Sequence, residues 1–267
     1  MSEKVKLARF IQQQRIQQKL TQEEVASALG LTRPTYRQIE TGERDLKVME
    51  ARNLAGLFKM SVAELLHGDE PGWAITLEKP PAQGKKSSAK RTAERNIQIS
   101  HKDAQRFIEM LLYILGDVGA KPNAGATVLH KLLYFIDFDY YEIHSEKLLG
   151  ATYTRDSFGP YAVELDTILE NMREKGDLDL IKHTYHGYTQ KKYLPLRDPD
   201  LSDFSAPEIL HVNNVLARLS DMGAREIRDY SHGDYPYRAT EQGEIIDYET
   251  VFYRDDPYAR GELHDEI

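Results

Sequence analysis

The spacing of apolar residues over the first 67 positions predicts a bundle of five short helices. Leu7 and Ile11 lie about one helical turn apart in the first helix. Thr21 precedes the second, and Glu24 follows three residues later, which is the capping-box pattern. The remaining three helices are expected around residues 32–40, 49–58 and 61–66.

Helical spacing also dominates the chain after residue 100. Apolar residues recur at helical intervals over 104–115 and again over 128–140, after a break that contains Gly119 and Gly125. Gly159-Pro160 is predicted to end the next loop and to start a helix that runs to Met172, with proline in its first turn. Further helices are expected near 206–219 and 223–230.

One stretch has the two-residue alternation that is typical of a β-strand instead. In the run LDLIKHTYHGYTQKKYLPL, apolar and polar residues alternate on both sides of His186-Gly187, which predicts a hairpin of two short strands. We therefore expect a mainly α (α+β) fold: an N-terminal five-helix domain, a flexible linker, and a C-terminal helical domain with a small β-hairpin.

The linker is predicted from composition. Residues 69–100 are rich in Pro, Gly, Ser, Lys and Ala and show little periodicity, so they bury too little apolar surface to offset their ordering entropy. The expected domains are therefore 1–68, a basic linker at 69–100, and 101–267.

Charge separates these parts. The first 70 residues carry a net charge of +1, residues 71–100 carry +4, and the remainder carries −13. Because phosphate repels an acidic surface, nucleic-acid contact is expected only in the N-terminal part. The acidic part after residue 100 is therefore expected to have another function, such as binding a protein partner.

Composition excludes several classes of protein. Without cysteine there is no disulfide, thiol nucleophile or Cys-ligated zinc site. No run of about 18 apolar residues is present, and the first residues lack the apolar core of a signal peptide. The expectation is a cytoplasmic protein that does not interact with membranes.

The segment from Gln22 to Glu40 meets the requirements of two helices that cross steeply. Ala26 is small enough for close approach, and Gly30 lies at the turn, where a left-handed conformation is needed. Thr32 is expected to cap the second helix. The side chains expected to face inward are Leu31, Tyr36 and Ile39.

Residues 5–66 resemble the Cro/C1-type (XRE-like) helix-turn-helix family. In that family an arginine of the first helix pairs with the glutamate that ends the recognition helix, and Arg15 and Glu40 match those positions. The closing sequence IETGER is similar to the family's IENGK, with Thr41 in place of asparagine.

The resemblance implies a set of DNA contacts. Gln22 matches a position that holds a backbone phosphate, and Arg33 and Gln38 match positions that read base edges, as their bidentate side chains can. Arg44 and Thr32 are expected to position the backbone. Pro34 departs from the usual polar residue and leaves the operator sequence open. The full set of expected DNA-binding residues is Gln22, Thr32, Arg33, Thr35, Arg37, Gln38 and Arg44. Such domains each read half of a palindrome, so a homodimer on double-stranded operator DNA is expected.

Three motifs of the C-terminal part resemble the Panacea (SocA-like) family over about residues 103–248. They are LHKLLYF at 129–135, the segment from Gly150 to Gly159-Pro160, and Ser231-His232 with Pro236-Tyr237, where tyrosine replaces a frequent tryptophan. The resemblance implies an antitoxin domain that neutralises a cognate protein toxin by direct contact.

Aromatic residues suggest where a toxin binds, because rigid rings are common at interfaces. The expected contact residues are Tyr140, Tyr141, Tyr153, Phe158 and Tyr161. His232 is interpreted as a core histidine bonded to a backbone group. The residues expected to have structural roles are Arg15, Glu40, Ala26, Gly30, Gly159, Pro160 and His232.

Other functions are weighed against this one. Asp137, Asp139, Glu142 and His144 face several sides of a helix, and the HxxH at 183–186 is weak evidence for a metal. We therefore expect no catalytic residues, no metal and no cofactor. The alternatives are a one-component transcriptional regulator that senses a ligand, which requires an enclosed apolar pocket, and a proteolysis adaptor for a toxin.

Overall fold

The computed structural model describes residues 3–67, 76–77, 101–185 and 188–260. Its helices are α1 (Glu3–Gln17), α2 (Gln22–Ala28), α3 (Arg33–Thr41), α4 (Val48–Phe58), α5 (Val62–His67), α6 (His101–Val118), α7 (Ala126–His144), α8 (Leu165–Lys175), α9 (Ala206–Leu219), α10 (Ala224–Gly233) and α11 (Tyr235–Ala239). The strands are β1 (Thr76–Leu77), β2 (Tyr153–Asp156), β3 (Gly159–Ala162), β4 (Leu178–Tyr185) and β5 (Tyr188–Pro195), and a 3₁₀ helix spans Tyr248–Tyr253. The mainly helical fold class is confirmed.

The five N-terminal helices begin and end where the sequence indicates. Thr21 and Glu24 form the reciprocal capping box at the start of α2, with the Thr21 amide donating to the Glu24 carboxylate at 2.7 Å. Gly42 ends α3 in the left-handed conformation that glycine adopts without steric cost. Short-range signals therefore define this unit.

The C-terminal unit is built around α7. All side chains from Val128 to Asp139 are buried, and α7 contacts α9, α10, β3 and the 3₁₀ helix. A helix that is buried on every side must be wrapped by other elements. Several of these elements lie far away in the sequence, including the 3₁₀ helix, in which Tyr248 and Val251 are buried.

The hairpin predicted around His186-Gly187 is confirmed, although those two residues lie outside the described part of the chain. Strands β4 and β5 pair antiparallel from Leu178↔Pro195 to Tyr185↔Tyr188. Strand β1 adds a short third strand, with Thr76 opposite Lys182. This strand falls within the predicted flexible linker, of which residues 69–75 and 78–100 lie outside the described part.

The prediction of a helix starting at Gly159-Pro160 is wrong. Residues Gly159–Ala162 form β3, which pairs with β2, and α8 begins only at Leu165. The Asp156 carboxylate accepts a hydrogen bond from the Phe158 amide at 3.0 Å, and Gly159 has φ of +100°. An Asx turn followed by a positive φ reverses the chain instead of starting a helix. The C-terminal unit thus has two hairpins where one was expected.

The two units pack against each other through α4, which contacts α6 and β5. Ala120, Ile181 and Leu194 are buried in the same apolar cluster as Val48 and Leu54 of α4. Burial of apolar surface across this contact favours association of the units.

Ion pairs surround the shared apolar cluster. Lys121 lies 2.8 Å from Asp45 and 2.7 Å from Asp221, and Arg52 lies 3.2 Å from Asp179. Burial opposes the charge of Lys121, but its hydrogen bonds to both aspartates raise its pKa above the ordinary value. The N-terminal unit is therefore held against the C-terminal unit by direct contacts.

Candidate nucleic-acid interface and partner-binding surface

The turn between α2 and α3 brings the two helices into close contact. Gly30 adopts φ of +68°, and Ala26 is buried at the crossing. The Thr32 hydroxyl accepts a hydrogen bond from the Thr35 amide at 3.4 Å, so Thr32 caps α3 as its position indicates. Tyr36 and Ile39 are buried, whereas Leu31 is half-buried.

The opposite side of α3 faces solvent. Arg33, Arg37 and Gln38 are exposed, and no acidic residue lies in the first turn of the helix. Arg33 and Arg37 are four residues apart, so they lie on one face, with Gln38 beside them. The Thr32 and Thr35 hydroxyls are 2.8 Å apart at the start of this face. The arrangement presents two guanidinium groups and an amide on a rigid helix, a suitable geometry for a DNA groove.

A buried ion pair supports α3 from behind. Arg15 Nε donates to Glu40 Oε1 at 2.6 Å, and Arg15 Nη2 donates to Glu40 Oε2 at 3.2 Å. Gln22 Nε2 also donates to Glu40 Oε2, at 2.8 Å. Burial opposes the ionised form of Glu40, but these hydrogen bonds outweigh it and lower its pKa below the ordinary value.

Two expected phosphate contacts are engaged within the protein. One amide hydrogen of Gln22 is held by Glu40, and both terminal nitrogens of Arg44 donate to Glu50, at 2.8 and 2.9 Å. Each side chain keeps further N–H donors beside these bonds, since an amide has two and a guanidinium has five. Gln22 and Arg44 therefore have structural roles within the domain and stay predicted phosphate contacts, beside the exposed face of α3.

Substitution Arg15→Met is expected to destabilise the N-terminal unit by about 2 to 4 kcal/mol, because Glu40 would remain buried without its cation. The pKa of Glu40 is lowered on folding, so its stabilising effect is present above the unfolded pKa of about 4.3 and is lost as pH falls through the folded pKa. Chemical unfolding followed at pH 7 and pH 3 should show a smaller loss for Arg15→Met than for the wild type. Arg37→Met, on an exposed position, is the control, and equal losses for all three chains would contradict the assignment.

In the C-terminal unit, Asp137 ties the start of β2 to α7. Its carboxylate accepts from the Leu149 amide at 2.7 Å, the Tyr153 hydroxyl at 2.9 Å and the Tyr248 hydroxyl at 3.1 Å. Burial raises the pKa of Asp137, and these donors oppose the shift. The carboxylate is thus occupied in structural bonding.

Tyr153 corrects one of the predicted partner contacts. The side chain is fully buried against Tyr134 and Phe138, so it offers no surface to another protein. The sequence predicted a loop position after α7, but Tyr153 begins β2, where its ring packs against two aromatic side chains of α7.

The four other predicted contact residues divide between two ends of α7. Tyr140 and Tyr141 lie near its C-terminus, where the Tyr141 ring contacts Phe252 at 6.0 Å. Phe158 is 66% exposed at the tip of the β2–β3 hairpin, and Tyr161 stacks on His130 near the start of α7, with ring centroids 4.3 Å apart. His130 and Tyr140 are ten residues apart, or about 15 Å along the helix. The structure does not bring the five predicted residues into one site.

His232 also differs from its interpretation as a core histidine bonded to the backbone. It is half-buried, its ring stacks on Tyr237 at 4.7 Å, and Nε2 is buried without a hydrogen-bond partner. Gly159 and Pro160 are buried in β3, and a Cβ atom at Gly159 would lie 2.7 Å from Ser231 Oγ. The absence of a side chain at Gly159 therefore allows the hairpin to approach α10.

Comparison with protein-family models gives a match for each of the two units. Residues 11–65 match a helix-turn-helix family model, and residues 129–236 match the family described as antitoxin SocA-like, Panacea domain. The chain joins a helix-turn-helix domain to a SocA-like Panacea domain. No curated protein and no solved structure gave a significant match.

The matches confirm the resemblances found in the sequence. The two matched families are a DNA-binding family and an antitoxin family, and neither is an enzyme family. Within the described residues no group of three acidic or histidine side chains could hold a metal ion. In the same part of the chain, none of the helices has the length and hydropathy needed to cross a bilayer.

The C-terminal unit includes structure beyond the residues that match the Panacea family. Arg254 follows the match by 18 positions, yet its side chain is fully buried among three carboxylates. Arg254 Nε donates to Asp234 at 2.9 Å, and Nη1 donates to Asp139 at 2.8 Å and to Glu142 at 2.9 Å. Sequence reasoning missed this network, because nothing in the local pattern around Arg254 indicates that it pairs with α7.

Proposed function

We propose that this chain is the antitoxin of a type II toxin–antitoxin system. In this proposal the Panacea domain neutralises a cognate protein toxin by direct binding, and the helix-turn-helix domain represses the operon that encodes both proteins. The observation that carries the proposal is the presence, in one chain, of a SocA-like antitoxin domain and an exposed cationic face on a recognition helix.

The proposal retains three expectations. The divisions are a DNA-binding domain at 1–68, a linker at 69–100 and a toxin-neutralising domain at 101–267. The operator is palindromic and is bound by a homodimer, because each helix-turn-helix reads one half-site. The protein acts in the cytoplasm, where the operon is transcribed.

Contacts between the domains give the proposal a physical route for regulation. Val48 and the Asp45–Lys121 pair connect the DNA-binding domain to α6 and the start of α7. A toxin that binds the Panacea domain can thereby change the geometry or avidity with which two recognition helices meet the operator.

Two cavities in the described part of the chain are too small for a sensed metabolite. The cavity between the two domains, lined by Leu7, Ile39 and Lys121, measures about 20 Å³, and one lined by Leu115, Val128 and Tyr193 measures about 10 Å³. Each is of the size that holds about one water molecule, whereas sites for small ligands occupy about 300 Å³ or more.

We place the toxin at the β2–β3 hairpin, since Phe158 is the most exposed of the predicted contact residues. The test is growth of a bacterial host that expresses the open reading frame adjacent to this gene, with and without this chain. Arrest that the wild-type chain relieves supports the antitoxin role, and absence of arrest despite confirmed expression contradicts it.

Two matched variants test where the toxin binds. Phe158→Ala is expected to weaken toxin binding by about 10-fold to 100-fold, as loss of an aromatic hot spot does. Phe252→Ala, a change at a similarly exposed ring near the other end of α7, is expected to leave binding unchanged. The reverse result would move the surface to Tyr140 and Tyr141.

A further inference from the structure

Lys131 is buried in the Panacea domain without a partner. The residue is 3% exposed, and its Nζ forms no hydrogen bond or ion pair with another described residue but keeps a small solvent-accessible area. A buried ammonium group without a counterion is costly. Burial lowers the pKa of Lys131 to about 8, with Asp156 opposing the shift and Arg228 adding to it.

The β2–β3 hairpin covers this lysine. A Cβ atom at Gly159 would lie 2.8 Å from Lys131 Cε, 3.3 Å from Lys131 Nζ and 2.7 Å from Ser231 Oγ. Lys131 and Ser231 therefore meet beneath the same glycine. The Ser231 hydroxyl donates to the Arg228 carbonyl oxygen at 2.8 Å, so its hydrogen is already engaged.

Two more nitrogen atoms nearby lack partners. His232, adjacent to Ser231, has a buried Nε2 with no hydrogen bond, and Arg155 has a buried Nε with none. Both side chains contact Tyr237: the His232 ring stacks on it at 4.7 Å, and Arg155 Cζ lies 5.0 Å from its ring centroid. The Arg155 guanidinium is also anchored, because its Nη1 donates to the Thr240 carbonyl oxygen. Nitrogen atoms with unused hydrogen-bonding capacity thus come from α7, β2 and α10.

Two nearby carboxylates have other partners, although the charge of Asp156 also acts on Lys131. Asp156 accepts hydrogen bonds from Phe158 N and Ser157 Oγ in its own turn. Asp229 pairs with Arg228 at 2.6 Å. His130 is also nearby: burial and Lys131 lower its pKa to about 4, and its Nδ1 accepts from the Ala162 amide at 3.2 Å. The local balance therefore leaves donors and positive charge in excess.

We propose that Lys131, Arg155 and His232 form a binding site for an oxyanion, a carboxylate or a phosphate group. Guanidinium, ammonium and imidazole nitrogens are strong charge-assisted donors to such groups. The site lies next to the exposed ring of Phe158, so a carboxylate of a bound protein can reach it while that protein covers the hairpin. The idea that a partner protein supplies this carboxylate rests on the proposed antitoxin function, whereas the anion site itself does not.

The first experiment uses inorganic phosphate and the full chain. At constant ionic strength, phosphate is titrated while the imidazole resonances of His232 and the Tm are followed. The wild type should show a saturable shift and a rise in Tm, as expected for a ligand that binds the folded state. Lys131→Met should bind phosphate at least 10-fold more weakly and, without phosphate, should have a Tm equal to or above that of the wild type, because a buried charge is removed.

Lys175→Met makes the same charge change at an exposed position of α8 and should behave like the wild type. The high Tm of Lys131→Met separates loss of the site from loss of the fold. The same titration with acetate tests a carboxylate directly. The absence of a saturable response to either anion in the wild type, or an equal response in Lys131→Met, would overturn the proposal.

The second experiment identifies the source of the anion. If phosphate competes with the toxin and Lys131→Met binds toxin at least 10-fold more weakly, the partner supplies the oxyanion. If toxin binding is unchanged while phosphate still saturates the site, the ligand is a free anion. A chain that binds phosphate but relieves no growth arrest retains the anion site and loses only the antitoxin proposal.

Discussion

Replacement of both Arg33 and Gln38 by alanine is expected to weaken specific operator binding by about 30-fold to 10,000-fold. Each side chain can form a bidentate contact with a base, and each such contact contributes about 1 to 3 kcal/mol of discrimination. Both side chains are exposed on α3, and neither contributes to the buried core of the helix-turn-helix domain. Fluorescence anisotropy with DNA from upstream of the gene, at a fixed salt concentration, measures the effect.

The matched control is Arg9→Ala with Gln13→Ala. These residues are exposed on α1 at the spacing of one helical turn, so the control removes the same charge and the same amide from the same domain. General electrostatic attraction to phosphate falls equally in both double variants. Equal operator affinity in the two variants would show that α3 does not read base edges.

The Arg33/Gln38 variant also tests the division between the two activities. It is expected to relieve growth arrest as well as the wild type does, because α3 is far in sequence from the proposed toxin surface and shares no residue with it. A folded variant that binds no operator and also fails to neutralise the toxin would contradict separate roles for the two domains.

Substitution Arg254→Met is expected to destabilise the Panacea domain by about 3 to 5 kcal/mol, a fall in Tm of roughly 10 °C. Burial opposes the charge of Arg254, but Asp234 and Asp139 raise its pKa well above the ordinary value. Removal of the guanidinium leaves those carboxylates buried and without this cation. Calorimetry of the full chain measures the change.

Arg225→Met is the control for this prediction. Arg225 is 87% exposed in its side chain and lies 3.7 Å from Asp229, so its loss should change stability by less than about 0.5 kcal/mol. A Tm for Arg254→Met within 2 °C of the wild type would show that the segment after residue 236 is not part of the folded domain.

Local signals accounted for the helix-turn-helix domain. The Thr21–Glu24 capping box, the Thr32 cap and the left-handed Gly30 each depend on residues within a few positions of one another. Such interactions favour the same conformation in any context, so they can be read from sequence. Prediction of the Arg15–Glu40 pair also required the resemblance to the helix-turn-helix family, because the two residues are 25 positions apart.

Local signals failed at Gly159-Pro160. Proline after glycine suits the first turn of a helix, but the preceding Asp156 forms a turn and Tyr153 to Asp156 offers a strand to pair with. The backbone of residues 243–246 then adds to this hairpin, since Arg155 N donates to Glu244 O at 2.9 Å. Partners some 90 residues away therefore selected the strand.

The sequence by itself determined the positions of most helices, the helix-turn-helix, the β4–β5 hairpin and the resemblance to both families, because each follows from short-range spacing or from contiguous motifs. Only the tertiary structure decided that Tyr153 is buried, that Arg254 pairs with α7, that α4 packs on the C-terminal unit, and that Lys131 lies near the unpaired nitrogen atoms of Arg155 and His232. These features depend on which distant residues share a neighbourhood, and their burial and charge balance emerge only when the chain packs around α7.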